Sequence, residues 1–255
     1  MRGFLKSILA LVSLAIPISG GYLMAQSSPV KNIVLVHGAF ADGSSWSKVI
    51  PLLQARGFHV TSVGIPLTSF ADDVAATKRA IAAEDGPVLL VGHSYGGVVI
   101  TEVGSDPKVV GLVYVAAFAP DANQTISEIS KPFPPPLGAT KVKPLTDGFI
   151  LLTPDGIETA FAQDLTKEEK ALLVAVQPQT AGAIFEAKPT AAAWHNKSSW
   201  YIVASNDNMI APEQEKSMAK QINATTTVLP SSHVAMLSHP KEVAKVIEDA
   251  AAGKK

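Results

Sequence analysis

The sequence predicts an α/β fold: one six-stranded, all-parallel sheet flanked by helices, with a small helical lid. Short apolar runs alternate with helical patterns along the chain, which is typical of parallel strands joined by helices. The runs are β-branched and show no polar alternation, which indicates strands buried on both faces. One long interval without strands predicts the lid. The six predicted strands span residues 33–36, 60–65, 88–91, 112–116, 201–204 and 226–229.

Helical patterns fill the intervals between these strands and follow the last one. Two of them open on a proline, Pro212 and Pro240. Proline is favoured in the first turn of a helix, where its missing N–H is not needed. The predicted helices span residues 46–56, 71–83, 97–103, 212–221 and 240–251.

The long interval covers residues 121–193 and divides the fold into two core segments, 26–120 and 194–255. It contains the proline cluster 131–136, a helical pattern after Thr166 and many apolar residues. An interval of this length with its own helical signals is typical of a lid inserted into the core.

Composition limits the classes of partner. The 255 residues are 47% hydrophobic and carry a formal net charge of −1, so the chain can bury a large core and has no basic field for nucleic acid. It has no cysteine, which excludes disulfides and a lipid-modified cysteine anchor. The expected partner is a small, neutral molecule.

The first 25 residues resemble a secretory signal peptide. Arg2 and Lys6 precede an uncharged apolar stretch, 8–18, that is too short to span a bilayer comfortably. We expect cleavage after Ala25, export to the periplasm or medium, and no stable membrane association afterwards. An uncleaved amphiphilic anchor is the alternative.

Ser94 is the candidate nucleophile. It is the middle residue of Gly-His-Ser-Tyr-Gly at 92–96, between a predicted buried strand and a predicted helix. In this strand–turn–helix setting the G-x-S-x-G pattern indicates a sharp turn that exposes the serine hydroxyl. The glycines allow strand and helix to approach closely.

A serine hydroxyl needs a base, and the base needs an orienting acid. His233 follows the last predicted strand and is the candidate general base. Asp207 follows the strand before it and is the favoured acid. Asp121, after the strand 112–116, is the competing candidate.

The loop after the first strand supplies the remaining part of the site. Backbone amides can stabilise the oxyanion that forms when serine attacks a carbonyl. We expect the amides of Ala39, in the sequence His-Gly-Ala-Phe at 37–40, and of Tyr95 to do so, with that of Phe40 as the alternative to Ala39.

Four separated motifs together resemble the α/β-hydrolase fold. Within it they are similar to a small branch of plant methylesterases, hydroxynitrile lyases and bacterial esterases with an HGAF-type first motif. The resemblance implies that Ser94, Asp207 and His233 are nucleophile, acid and base, and that Ala39 and Tyr95 form the oxyanion hole. The motifs are HGAFADGSSW at 37–46, GHSYGG at 92–97, ND at 206–207 and SHVAML at 232–237.

The expected activity is hydrolysis of small to medium, largely apolar carboxylic esters through an acyl-enzyme, without metal or organic cofactor. Phe40 and Trp46 are candidate substrate contacts.

Several other reactions use the same three side chains. Lactone opening, amide cleavage, carbon–carbon bond hydrolysis and peracid formation all remain alternatives. The resemblance argues against a cyanohydrin lyase, because the lyases carry a lysine beside the catalytic histidine and this chain has Val234. A non-catalytic small-molecule receptor on the same fold is a further alternative.

Overall fold

The computed structural model describes residues 30–254. The predicted signal peptide, residues 1–25, lies outside this range. The fold prediction is confirmed: six parallel strands form the central sheet, in the order β2-β1-β3-β4-β8-β9. The strands are β1 Asn32–Val36, β2 His59–Val63, β3 Val88–His93, β4 Val109–Val115, β5 Val142–Pro144, β6 Phe149–Leu152, β7 Thr180–Ala181, β8 Ser198–Ala204 and β9 Thr225–Leu229.

The register of the central sheet brings the functional loops to one edge. Val36 of β1 lies opposite Gly92 of β3, and Val115 of β4 lies opposite Ile202 of β8. Because all six strands run in the same direction, the loops that follow their carboxyl ends meet along that edge. The loops after β1, β3, β8 and β9 carry the four sequence motifs.

Helices cover both faces of this sheet, and several shorter turns occur in the lid. The α-helices are α1 Ile50–Gln54, α2 Phe70–Ala83, α3 Gly96–Val103, α4 Ile126–Ser130, α5 Pro154–Gly156, α6 Lys167–Val176, α7 Pro212–Gln221, α8 Ala235–Ser238 and α9 Pro240–Ala251. A π-turn, Ile157–Phe161, continues α5. Short 3₁₀ helices span Gly43–Trp46, Leu137–Lys141, Thr146–Gly148, Gly182–Glu186 and Ala193–His195.

The predicted helix over residues 46–56 is two separate elements in the structure. A 3₁₀ turn, Gly43–Trp46, begins where the Asp42 side chain accepts a hydrogen bond from the Ser44 amide. The α-helix then begins at Ile50, with Pro51 in its first turn. Proline has no N–H for the helical ladder, so a continuous helix through Pro51 is disfavoured.

The lid contains a small antiparallel sheet, β5-β6-β7, that the sequence did not predict. Its strands have only three, four and two residues, too few for a period to show. The predicted helix after Thr166 is present as α6, and it begins with a capping box between Thr166 and Glu169.

The interior of the sheet is largely apolar. All residues of β1 and β3 are buried, as expected for strands covered on both faces, whereas the edge strands β2 and β9 are partly exposed. Within residues 30–254, none of the helices combines the length and the hydropathy needed to cross a bilayer.

Candidate active site

Ser94 lies at the tip of a strained turn between β3 and α3. Its backbone φ is +52°, a left-handed value that is unfavourable for a residue with a side chain. The turn requires close packing: a Cβ at Gly96 would lie 2.6 Å from the Val36 carbonyl oxygen, and one at Gly92 would lie 2.7 Å from the Gly96 oxygen. Strain and glycines together present the Ser94 side chain at the sheet edge.

His233 and Asp207 form a buried pair at the same edge. The ring Nδ1 of His233 lies 2.5 Å from Asp207 Oδ2, and the two side chains are 1% and 0% exposed. The other oxygen of Asp207 accepts hydrogen bonds from the amides of Met209, at 2.6 Å, and Ile210, at 3.0 Å. Three donors therefore hold this carboxylate in one orientation. The second ring nitrogen of His233, Nε2, takes no part in these contacts.

His93, beside Ser94, forms a hydrogen bond that links the nucleophile turn to the loop of His233. Its Nε2 lies 3.0 Å from the carbonyl oxygen of His233. A carbonyl only accepts, so Nε2 carries the proton and donates. Burial, and then the nearby His233, lower the pKa of His93 well below its usual range and keep the ring neutral. The sequence motif treats this position as variable, so the contact was not predicted.

The Ser94 hydroxyl makes no hydrogen bond to the His233 ring in this structure. The turn that carries Ser94 is instead joined to the His233 loop by the hydrogen bond from His93. The rings of His93 and His233 have their centroids 4.7 Å apart. In enzymes without substrate, the bond between nucleophile and base is often long and tightens when substrate binds.

The HGAF loop packs directly against the nucleophile. A Cβ at Gly38 would lie 2.7 Å from the Cβ of Ser94. His37 fixes the loop, because its Nδ1 donates to the Gly38 carbonyl at 2.9 Å and its Nε2 accepts from the Ile65 amide at 3.2 Å. The amide of Phe40 donates to Thr180 Oγ1 of the lid at 3.4 Å. Ala39 and Tyr95 are buried residues, and neither backbone amide donates to an acceptor within residues 30–254.

The side chain of Tyr95 is anchored by a buried acid that the sequence did not single out. Its hydroxyl donates to Asp73 Oδ2 at 2.8 Å, and the Leu67 amide donates to Oδ1 at 2.8 Å. Burial raises the pKa of Asp73 to about 6, although the bonds from Tyr95 and Leu67 oppose the rise. Helical spacing alone gives no signal for such an acid, because the adjacent carboxylate on α2, Asp72, is exposed.

Asp121, the competing candidate for the acid, lies elsewhere. Its Oδ1 is 3.0 Å from Nε2 of His195, and both side chains are substantially exposed. The structure therefore pairs His233 with Asp207 and Asp121 with a surface histidine.

An apolar cavity of about 780 Å³ opens between the core and the lid. Phe40 and Phe118 connect it to the site: Phe40 follows Ala39, and the Phe118 amide donates to the Ser94 carbonyl at 3.1 Å. Phe40 also stacks on Phe185 of the lid, with centroids 6.2 Å apart. The remaining apolar lining includes Ile126, Phe133, Pro134, Val142, Ile150 and Met209.

Trp46, the second residue expected to contact substrate, does not line this cavity. Its side chain is fully buried, and its ring meets His93 edge-on with centroids 6.5 Å apart. A tryptophan buries a large apolar area when it packs in the core, and the structure places Trp46 there, behind the turn that carries Ser94.

Similar proteins cover this chain to different extents. It is 35% identical over 125 residues to the carbendazim hydrolyzing esterase of Nocardioides sp. (strain SG-4G), a match covering 42% of this chain and 51% of the relative. It is 31% identical over 126 residues to methylesterase 2 of Arabidopsis thaliana, covering 43% and 48%. The chain thus spans about half the length of these two relatives. A 26% match to the pyrethroid hydrolase of Sphingobium wenxiniae covers 86% of this chain and 87% of the relative.

Solved structures share the fold. The pyrethroid hydrolase of Sphingobium faniae JZ-2 superposes with a TM-score of 0.75 at 23% identity, over 87% of this chain and 97% of that one. Polyneuridine aldehyde esterase superposes with a TM-score of 0.74 at 22% identity, over 86% and 98%. A family model described as the alpha/beta hydrolase family matches residues 33–246, and the chain belongs to that family.

Proposed function

We propose that this protein is a serine hydrolase that cleaves small to medium, largely apolar carboxylic esters through an acyl-enzyme. The buried His233–Asp207 pair at the edge that carries Ser94 is the observation on which the proposal depends. A histidine oriented by a buried carboxylate, beside a serine on a strained turn, is the arrangement that nucleophilic acyl transfer requires.

Each step assigns a role to one group. The Ser94 oxygen attacks the ester carbonyl, and its proton passes to Nε2 of His233. The oxyanion accepts hydrogen bonds from the amides of Ala39 and Tyr95, which donate to no other group in the part of the chain that the structure describes. The bond between the carbonyl carbon and the alcohol oxygen breaks as His233 gives its proton to that departing oxygen. Water then attacks the acyl carbon and passes a proton to His233; the bond to Ser94 breaks, His233 returns the proton to the Ser94 oxygen, and the acid is released.

The apolar cavity supports a hydrophobic ester. Its lining is mostly aromatic, aliphatic and proline side chains, which favour an uncharged hydrocarbon portion over a charged or sugar-like one. Phe40 contacts this portion in the proposal. The relatives named as a carbendazim hydrolyzing esterase, a methylesterase and a pyrethroid hydrolase are compatible with ester chemistry here.

The test is turnover of chromogenic esters by purified wild type, Ser94→Ala and a matched control, Ser47→Ala. Ser47 is exposed and lies outside the site. Ser94→Ala is expected to lower kcat by about 10⁴- to 10⁶-fold, because loss of a triad nucleophile leaves only binding and the oxyanion hole. Ser47→Ala should retain the wild-type rate. A Ser94→Ala variant as active as the control would overturn the proposal.

A further inference from the structure

Glu215, on α7, is a buried acid with no role in the steps above. Its side chain is fully buried, and Oε2 accepts a hydrogen bond from the amide of Ala204, the last residue of β8, at 2.9 Å. The other oxygen, Oε1, is buried and has no hydrogen-bond donor among the described residues. A buried carboxylate with one donor is costly, so this group needs an explanation.

Ala204 joins Glu215 to Asp207: its amide donates to Glu215 Oε2 at 2.9 Å, and its carbonyl oxygen accepts from the Asp207 amide at 3.2 Å. Both acidic residues are buried beside the end of β8. Two ionised carboxylates that share a buried site repel each other. One of the two carboxyl groups therefore holds a proton. Asp207 accepts from His233 and from two amides, whereas Glu215 accepts from one amide. The donors therefore favour the charge on Asp207 and the proton on Glu215.

The other groups around Glu215 lead to the same assignment. Burial raises the pKa of Glu215 well above its usual range, and the charge and hydrogen bonding of Asp207 raise it further, while the Ala204 amide opposes the rise. Tyr201, on β8, also faces Glu215 and Asp207; burial and both carboxyls raise the pKa of its phenol, which stays neutral. His233 lies beyond Asp207. None of these supplies a cation at Glu215.

We propose that Glu215 is a positioning residue for the triad: it stays protonated and donates a hydrogen bond to the Asp207 carboxylate, holding that carboxylate in line with His233. The inference rests on the proposed function. In this arrangement the orienting acid is a pair of carboxyl groups, Asp207 and Glu215, that share one proton and one negative charge.

Glu215→Gln tests the charge state. The amide can donate from Nε2 to Asp207 and accept from the Ala204 amide through Oε1, so it conserves both hydrogen bonds without an ionisable proton. We expect kcat within about threefold of wild type and an acid limb of the pH–rate profile at the wild-type position. If Glu215 were ionised, the variant would remove a negative charge near His233 and move the acid limb to lower pH, which would overturn the proposal.

Glu215→Leu tests the hydrogen bond, with Glu213→Leu as the control because Glu213 is exposed on the same helix. We expect Glu215→Leu to lower kcat by about 10- to 100-fold with KM changed by less than about threefold, since a slightly misplaced catalytic group costs rate. Glu215→Gln should recover most of that loss. Wild-type kcat in a folded Glu215→Leu variant, or a loss of more than tenfold in Glu215→Gln, would contradict the role.

Ser94→Ala in the same assay separates the two proposals. Activity that survives in Ser94→Ala rejects the serine hydrolase itself. Activity that depends on Ser94 but not on Glu215 rejects only the positioning role. If Glu215→Leu does not fold, the pH profile of Glu215→Gln still decides whether Glu215 is neutral.

Discussion

The carboxylate of Asp207 accepts more hydrogen bonds than an exposed acid would need. His233 and two backbone amides donate to it, and a fully buried anion requires such partners. The result is an imidazole whose Nδ1 carries the proton and whose Nε2 is free to act as a base. The hydrogen bonds at this residue, more than its position in the chain, distinguish it from Asp121.

Asp207→Asn should lower kcat by about 10⁴-fold, because an amide nitrogen facing Nδ1 favours the wrong tautomer of His233. Asp121→Asn is the matched control and should stay within about twofold of wild type, since Asp121 pairs with exposed His195. Steady-state kinetics on one chromogenic ester measures both. The opposite ranking would move the orienting acid to the loop after β4.

Some residues of the candidate site were predictable from the sequence and others were not, for a physical reason. Ser94, Asp207 and His233 each follow a strand within a local motif, and parallel strands bring such positions to one edge. Glu215 and Asp73 lie on helices that also carry exposed acids, Glu213 and Asp72, and local sequence does not distinguish the buried acids from the exposed ones. Their burial results from packing against β8 and Tyr95, which is tertiary information.

Asp73 makes stability depend on pH in a defined direction. Its folded pKa, about 6, lies above its value of 3.8 in an exposed setting, so the folded state binds more protons between these values. The contribution of Asp73 to the free energy of unfolding is therefore most favourable below pH 4 and is lost as pH rises through 6.

Asp73→Asn should remove this part of the pH dependence, while its side-chain oxygen still accepts from Leu67. Urea unfolding of both proteins at pH 4.5 and pH 7.5 measures it. The variant should gain stability relative to wild type on going to pH 7.5, on the order of 1 to 2 kcal/mol. A difference between the two proteins that does not change with pH would mean that Asp73 titrates normally.

At the scale of elements, the turn between β3 and α3 depends on residues without a Cβ. Gly96 lies against the end of β1, and the space there is filled by the carbonyls of Val36 and His37. Backbone atoms cannot move aside as a flexible side chain can. The glycine at position 96 thus reflects the close packing of the β3–α3 turn against the end of β1.

Gly96→Ala should destabilise the protein by about 3 kcal/mol or more and abolish ester turnover, because the new Cβ would lie 2.6 Å from the Val36 oxygen. Gly64→Ala is the control, since a Cβ at Gly64 has nothing within 4 Å. Urea unfolding and activity measure both. Equal stabilities would show that the turn adapts to a larger residue.

Predictions for whole elements succeeded where the apolar pattern extended over enough residues to be recognised. The strands β1, β3, β4 and β8 each contain a continuous apolar run, and α9 begins at the predicted proline. Residues 46–56 were predicted as one helix, whereas in the structure α1 begins at Ile50, because Pro51 has no N–H to continue a helix that began earlier. The lid strands were missed because two to four residues show no alternation.

At the scale of the whole molecule, the lid and the core build the cavity together. Phe185 and Phe133 come from the lid, and Phe40 and Phe118 come from loops of the core. Hydrogen bonds between lid and core include the one from the Phe40 amide to Thr180 and the one that the Asp164 carboxylate accepts from the Ser232 amide at 2.7 Å. The sequence predicted a lid from its interval length, but the cavity arises from contacts across that interval.

Phe185→Ala should enlarge the cavity where Phe185 stacks on Phe40. Room for about two more methylene groups would raise the octanoate-to-butyrate ratio of kcat/KM about tenfold, at about 0.8 kcal/mol for each buried methylene. Leu172→Ala is the control, because Leu172 is exposed on the lid. Kinetics over a series of chromogenic esters measures the ratio, and an unchanged ratio would place the acyl chain elsewhere.

Covalent labelling asks whether Ser94 is an activated nucleophile. The purified protein is treated with a fluorophosphonate probe, and the modified peptide is located by mass spectrometry. We expect one adduct for each chain, on Ser94, absent from Ser94→Ala and formed much more slowly in His233→Ala, because the base activates the hydroxyl. Ester turnover together with an unlabelled Ser94, or with a label on another residue, would contradict the assignment of the active site.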